Sequence, residues 1–316
     1  MKIGLVGYQG GGKSTLFELL TGTHPDPARA HQGQTGIATV PDDRFDRLVD
    51  HYKPKKTVPS RIELLDTPGL STEHPDQNAS RLGVIREANV LVQVIGAHSG
   101  ADPIRELESF ESDMVLADLQ VVTNRLERLK KDVAKPRPDR DELRAEYECL
   151  QPIAARLDAA ERGFGMEFTE LQEKWTKAIS LLTLKRHVLV LNTADSNFDA
   201  SMVAAVEAKG HRALAAPVGL ELEVAQLPEE DRAMFAEEMG LGEPCRTRLL
   251  RLLFEVTDQI TFYTSGEKEV HAWLMKRGGS AVDAADVIHS DLARGFVRAE
   301  VWQVDDLLRL GSERDL

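Results

Sequence analysis

Gly7-Tyr8-Gln9-Gly10-Gly11-Gly12-Lys13-Ser14 has glycine at its first and sixth positions, followed by a lysine and a hydroxyl. That satisfies G-x-x-x-x-G-K-[ST], a pattern in which each residue type has a physical task. Glycines let the backbone turn sharply and aim its N–H groups at phosphate oxygens, and the dipole of a following helix favours the same negative charge. Lys13 is expected to reach the β- and γ-phosphates of a nucleotide, and Ser14 Oγ to ligate Mg²⁺. Gly7, Gln9, Gly10, Gly11, Gly12 and Thr15 complete the expected cradle. The full pattern in a strand-to-helix context disfavours a glycine-rich turn that holds no ligand.

Asp66-Thr67-Pro68-Gly69 closes an apolar run, Ile62-Glu63-Leu64-Leu65. A carboxylate at the end of a strand is where phosphate-loop proteins hold Mg²⁺, and the Gly69 N–H is then placed to sense the γ-phosphate. Asp-Thr-Pro-Gly is also a good turn sequence by itself. The signal comes from its position some fifty residues after the phosphate loop. Leu70 follows, where many nucleoside triphosphatases carry a Gln that orients the attacking water. Hydrolysis is therefore expected to be slow, or to use another group. Thr35, in the polar segment Thr23–Gln34 and just beyond, is a candidate second ligand for Mg²⁺, with an ordinary loop threonine equally compatible. His98 and His74 lie where a side chain can place water, although a solvated loop histidine is the simpler reading of each.

A third cluster, Asn192-Thr193-Ala194-Asp195, follows the apolar run His187-Val188-Leu189-Val190-Leu191. Here Asn192 is expected to brace a loop, and the Asp195 carboxylate to accept hydrogen bonds from guanine N1–H and the 2-amino group. Thr193 stands where a lysine usually covers the base plane.

The elements that must position these residues are legible as alternating patterns. Ile3–Val6, Arg61–Leu65, Asn89–Ile95 and His187–Leu191 read as strands, and the continuous apolar character of the third fits a parallel sheet buried on both faces. Leu116, Leu119, Val122, Leu126, Leu129 and Val133 recur at spacings of three and four, the stripe of an amphipathic helix. Lys135-Pro136-Arg137-Pro138-Asp139 ends that helix, and Leu143, Tyr147, Leu150 and Leu157 continue on a second, with a kink open at Pro152. The two form a helical hairpin inserted in the sheet. Between Asn124 and Arg140 there are seven Lys/Arg against three Asp/Glu, either a solvated face or a tip that contacts RNA. The net charge of −13 argues against coating nucleic acid non-specifically. No apolar run is long enough to span a bilayer. Cys149 and Cys245 lack companions at metal-ligand spacing, so reduced thiols and a cytoplasmic monomer are expected.

In this order the motifs resemble the YchF-type Obg-like ATPases, a P-loop family of the translation-factor GTPase class. Gly12-Lys13-Ser14-Thr15-Leu16-Phe17, Val40-Pro41-Asp42-Asp43-Arg44, Lys53–Pro59, Asp66–Leu70, Leu116-Ala117-Asp118-Leu119 and Ala225-Gln226-Leu227 carry the resemblance. So do Ile260–Thr264, Val287–Asp291 and Gly295–Glu300 in the C-terminal stretch. The resemblance implies an α/β P-loop NTPase domain (1–111 and 181–256), an inserted α-helical hairpin (112–180), and a small C-terminal β-grasp-like TGS domain (257–316). It also implies Mg²⁺-dependent hydrolysis of ATP or GTP, ribosome association, and an apolar residue in place of the catalytic Gln, which Leu70 supplies. Asp195 departs from the family's Glu, which reopens GTP against the family's ATP preference. The Thr23–Val40 loop is shorter than the family's, and the chain stops at Leu316, so the TGS sheet is expected to be reduced. Two other classes compete. One is a nucleotide-sensing binding module with negligible turnover. The other is a small-molecule kinase, which leaves D-x-x-G, N-x-x-D and the C-terminal motifs unexplained.

Overall fold

Nine strands and the helices between them are assigned in the computed structural model, which describes every residue except Ala101, 160–167, Asn197, Asp199 and 312–316. The strands are β1 (Lys2–Val6), β2 (Gln34–Thr39), β3 (Lys56–Val58), β4 (Arg61–Asp66), β5 (Val90–Ile95), β6 (Arg186–Asn192), β7 (Arg212–Ala216), β8 (Gln259–Thr264) and β9 (Glu269–Lys276). The helices needed below are α1 (Lys13–Thr21), α2 (Asp43–Tyr52), α3 (Asn78–Ile85), α4 (Pro103–Val133), α5 (Arg140–Asp158), α6 (Glu170–Ile179), α7 (Ala200–Glu207) and α8 (Val218–Gln226). Residues 1–36 with 63–242 form one unit, and residues 37–62 with 243–316 a second.

A six-stranded sheet runs in the order β2-β4-β1-β5-β6-β7. The β1–β4, β1–β5, β5–β6 and β6–β7 pairings are all parallel. All six residues of β5 are buried, as its unbroken apolar run requires. Because β4 pairs on one side of β1 and β5 on the other, the order reverses at β1. Open α/β sheets bind ligands at the carboxyl ends of strands flanking such a reversal. Register completes the placement, with Leu5 opposite Asp66 and Val6 opposite Gln93.

The chain leaves β1 through the glycine loop and enters α1, which buries Lys13, Leu16, Phe17 and Leu20, the i, i+3, i+4, i+7 face of a helix. Gly22 closes it in the left-handed region (φ 69°), its N–H bonded to Glu18 O. Asp102 caps α4 by accepting from Ile104 N, with Pro103 at the first helical position.

Helices α4 and α5 pack through Val115, Val122, Leu129, Leu150, Ile153 and Leu157, with Trp175 of α6 in the same cluster. The stripe therefore begins at Val115, whereas Leu116 is 64% exposed. The heptad step from 115 to 122 to 129 keeps one face inward, and Leu116 stands about 100° round the helix from it. Helix α5 continues through Pro152. Asp118, wholly buried, ties α4 to the chain re-entering the sheet: it accepts from Leu182 N, Thr183 N, Thr183 Oγ1 and Arg86 Nη1 at 2.7–3.0 Å. Part of the expected hairpin, 160–167, lies outside the described residues.

In the second unit β8 and β9 are antiparallel, and β3 adds to β9 in parallel. Phe45 and Leu48 of α2 pack with Val270, Ala272 and Leu307. The unit therefore draws in residues 37–62 and 243–256, which the sequence reading assigned to the nucleotide domain. The physical reason is that β3 supplies an edge strand, and α2 an apolar face, to the C-terminal sheet. Residues 312–316 of this segment fall outside the description. Among the described residues no helix is long and apolar enough to cross a membrane.

Candidate nucleotide-binding site

The glycine loop leaves β1 in a conformation few other residues tolerate. Gly7, Gly10 and Gly12 have φ of 126°, 82° and 96°, values at which a Cβ is strained. A Cβ on Gly7 would also stand 2.7 Å from Val94 O. The loop is laced to the Asp66–Leu70 turn, with Leu70 N donating to Gly7 O and Gln9 N to Leu70 O, both at 3.0 Å. Leu70 itself is fully buried among Val6, Leu82 and Phe110. It closes the floor of the loop and offers no polar group to a water.

Lys13, 6% exposed, donates from Nζ to Tyr8 O at 2.6 Å. A Cβ on Gly69 would lie 2.8 Å from that Nζ, so glycine at 69 is what permits the lysine's position. Burial lowers the Lys13 pKa to about 8, against the opposing pull of Asp66 and Glu106. Ser14 Oγ donates to Asp66 Oδ2 at 2.8 Å. The other carboxylate oxygen, Asp66 Oδ1, is buried with no hydrogen-bond partner among the described residues. Burial raises the Asp66 pKa, with Ser14, Lys13 and Gln34 acting the other way. A hydroxyl beside a carboxylate with one unsatisfied oxygen is a hard, all-oxygen donor set, which fits Mg²⁺.

Thr35 is not brought to this cleft. It lies exposed on β2, and its neighbour Gln34 lines the cleft instead, because successive strand residues face opposite ways. Asn192 is buried at the carboxyl end of β6. Its Nδ2 donates to Gly11 O at 3.1 Å and its Oδ1 accepts from Val218 N at 3.2 Å. The expected brace is therefore present in geometry, linking the glycine loop to the start of α8. Thr193 Oγ1 donates to Asp195 O at 2.8 Å, and Asp195 is exposed on the same turn. His98 is exposed, with Nδ1 3.2 Å from Asn192 O. His74 is exposed too, and does not line the cleft.

Two charged side chains enter the site without a motif to announce them. Arg81 of α3 lines the cleft and donates to Gly69 O at 2.6 Å. Glu106, in the first turn of α4, faces the charges of Lys13 and His98, and burial raises its pKa. Asp102-Pro103 marks the start of that helix, but only the sheet order brings its first turn to the phosphate loop.

A parallel α/β sheet whose first strand enters a G-x-x-x-x-G-K-S loop, with the loop's serine bonded to a carboxylate ending the neighbouring strand, defines a P-loop nucleoside triphosphatase. Residues 2–125 match the family described as 50S ribosome-binding GTPase. Residues 259–316 match the YchF GTPase C-terminal family, described as a protein of unknown function (DUF933). The ribosome-binding ATPase YchF of Bacillus subtilis is 33% identical over 333 residues, spanning 98% of this chain and 90% of that protein. Its namesake in Haemophilus influenzae is 30% identical over 99% of this chain and 91% of its own. Obg-like ATPase 1 of Oryza sativa is 28% identical over 99% and 85%. The chain belongs to the YchF family. The structure of the Schizosaccharomyces pombe YchF GTPase superposes over the whole chain and 91% of its own, with a TM-score of 0.80 at 22% identity, the same fold.

Proposed function

We propose that this chain is a slow, Mg²⁺-dependent purine nucleoside triphosphatase that acts as a nucleotide switch on the ribosome or a related RNA–protein partner. The observation that carries the reading is the Ser14–Asp66 pair beside buried Lys13. The names of the relatives support ribosome association and hydrolysis. Residues 257–316 are read as a reduced TGS-like domain, and the protein as a monomer.

In this reading the backbone from Gly7 to Thr15 holds the phosphates, and Lys13 supplies their buried counter-charge. Ser14 and Asp66 hold Mg²⁺, which, when bound, neutralises charge developing between the β- and γ-phosphates. Gly69 N–H is the group that reports the γ-phosphate, and Arg81 holds the following peptide by its bond to Gly69 O. Since Leu70 cannot orient water, acceleration rests on positioning and electrostatics. Glu106 is a second carboxylate facing the Lys13 charge, its Oε1 buried with no hydrogen-bond partner among the described residues. Asn192 sets the loop on which Asp195 meets the base.

Replacing Asp66 with Asn is expected to raise the Mg²⁺ concentration for half-maximal turnover by about tenfold or more, because a neutral amide is a poorer ligand for a hard cation. An unchanged Mg²⁺ dependence would remove Asp66 from the ligand set. The base is tested by titrating ATP and GTP analogues side by side into the wild-type chain and Asp195→Asn. Loss of a charged acceptor is expected to weaken GTP roughly 10–100-fold while leaving ATP nearly unchanged. Equal losses for both would show that Asp195 does not select the base. The buried Leu70 also favours a second reading, a nucleotide sensor with negligible turnover. Tight binding with no phosphate release, with or without ribosomes, would support that one.

A further inference from the structure

On the same unit, away from the nucleotide cleft, three metal-ligating side chains converge. His187 is the second residue of β6, His211 immediately precedes β7, and Glu111 projects from α4. One ligand atom from each lies within 4.8 Å of the others. His211 Nε2 is 2.8 Å from Glu111 Oε1, with side chains only 6% and 15% exposed. The two imidazoles meet edge to face, their centroids 5.3 Å apart. All three line one small cavity, with Thr183 and Gly210 on its wall. Both histidines sit at the amino ends of their strands, whereas the glycine loop and Asn192 sit at the carboxyl ends. The two places are therefore on opposite edges of the sheet.

We infer that Glu111, His187 and His211 form a binding site for a divalent transition metal of the Zn²⁺ class. Two imidazoles and one carboxylate are a borderline-soft set that suits Zn²⁺ and leaves a fourth position for water. Tetrahedral ligands about 2.0–2.1 Å from zinc stand roughly 3.3 Å from one another. The Glu111–His211 pair needs to open by only about half an ångström to reach that, and His187 to move inward by no more than about 1.5 Å. The one cation on the cavity wall, among the described residues, is Lys185. Its ammonium is already held by Arg86 O and Ala88 O at 3.0 and 2.5 Å, so it does not claim the carboxylate. The donor set differs from the all-oxygen Ser14–Asp66 pair, so the two sites discriminate between Zn²⁺ and Mg²⁺ by ligand type. A bound ion would cross-link α4 to β6 and β7, adding its binding energy to the folded state.

The test is calorimetric titration of zinc sulfate into the full chain, stripped of metal, in the presence of excess Mg²⁺ and without nucleotide. One Zn²⁺ per chain is expected, with a dissociation constant of about micromolar or tighter. Co²⁺ in its place should give the visible d–d bands of a tetrahedral site. His187→Gln and His211→Gln are each expected to weaken Zn²⁺ about a hundredfold or more while circular dichroism stays unchanged. Should either variant fail to fold, Glu111→Gln, which keeps the side chain's size and leaves both strands unaltered, provides the same readout. No Zn²⁺ bound by the wild-type chain at about a hundred times the expected constant would overturn the proposal, leaving Glu111–His211 as a close polar contact only. So would weak multiple binding that survives the substitutions, which would belong to surface histidines.

Discussion

Lys13→Ala should lower triphosphate affinity by about two to four orders of magnitude, since stripping the partner from a buried charge cluster costs roughly 3–5 kcal/mol. Lys13 is the group whose burial leaves it almost no solvent competitor for the phosphates, and no other residue of the loop carries charge. The same burial gives a pH signature. Phosphates bind the ammonium form and hold its proton. In the free chain that ammonium titrates at about 8. Affinity is therefore level below that pH and falls as pH rises through it, by up to about tenfold per unit until the pKa of the complex is reached. Calorimetry from pH 6.5 to 9.5 checks both statements. A wild-type affinity that does not change above pH 8 would contradict the buried-ammonium account, and a Lys13→Ala chain that binds as tightly as wild type would sink the site assignment.

Gly12→Ala should both destabilise the chain and disable the loop. At φ 96° an added Cβ would sit 2.2 Å from Asn192 Nδ2. The asparagine has nowhere cheap to go, being buried and bonded to Gly11 O and Val218 N. Left-handed backbone costs alanine about 1–2 kcal/mol, and each buried group deprived of its bond about 1–3 kcal/mol. Together these approach roughly 3–8 kcal/mol, a large part of the roughly 5–15 kcal/mol a domain has. The melting temperature should drop by about 10 °C or more. Gly22→Ala is the control, since Gly22 has a similar positive φ of 69° but open space around it. It should cost about 1–2 kcal/mol and leave nucleotide binding intact. If both variants melt alike, the clash with Asn192 is not what restricts position 12.

What the sequence disclosed follows from how local each signal is. The glycine loop, Asp66–Gly69 and Asn192 each lie at a strand end where an apolar run stops, so spacing and hydropathy locate them together. The helical stripe on α4 was legible to within one residue, because Val115 and Leu116 are both apolar and only packing against Leu150 and Ile153 decides which turns inward. Loop composition says nothing of strand phase, so it does not show that Gln34 rather than Thr35 lines the cleft. Arg81 and Glu106 stand in ordinary amphipathic helices and become part of the site only once β1 is flanked by β4 and β5. The membership of residues 37–62 was equally hidden, since a three-residue strand such as β3 has no periodicity to read, and its partner β9 lies over two hundred residues away.

The Asn192 side chain bears on how such a site can diversify. One amide holds the phosphate loop and the first turn of α8 in a single frame, so any exchange at 192 disturbs triphosphate capture itself. Asp195 lies three residues on and is exposed. In the proposed reading, where Asp195 meets the base, an exchange at 195 alters base choice from an exposed position and leaves the Asn192 bonds to Gly11 O and Val218 N in place.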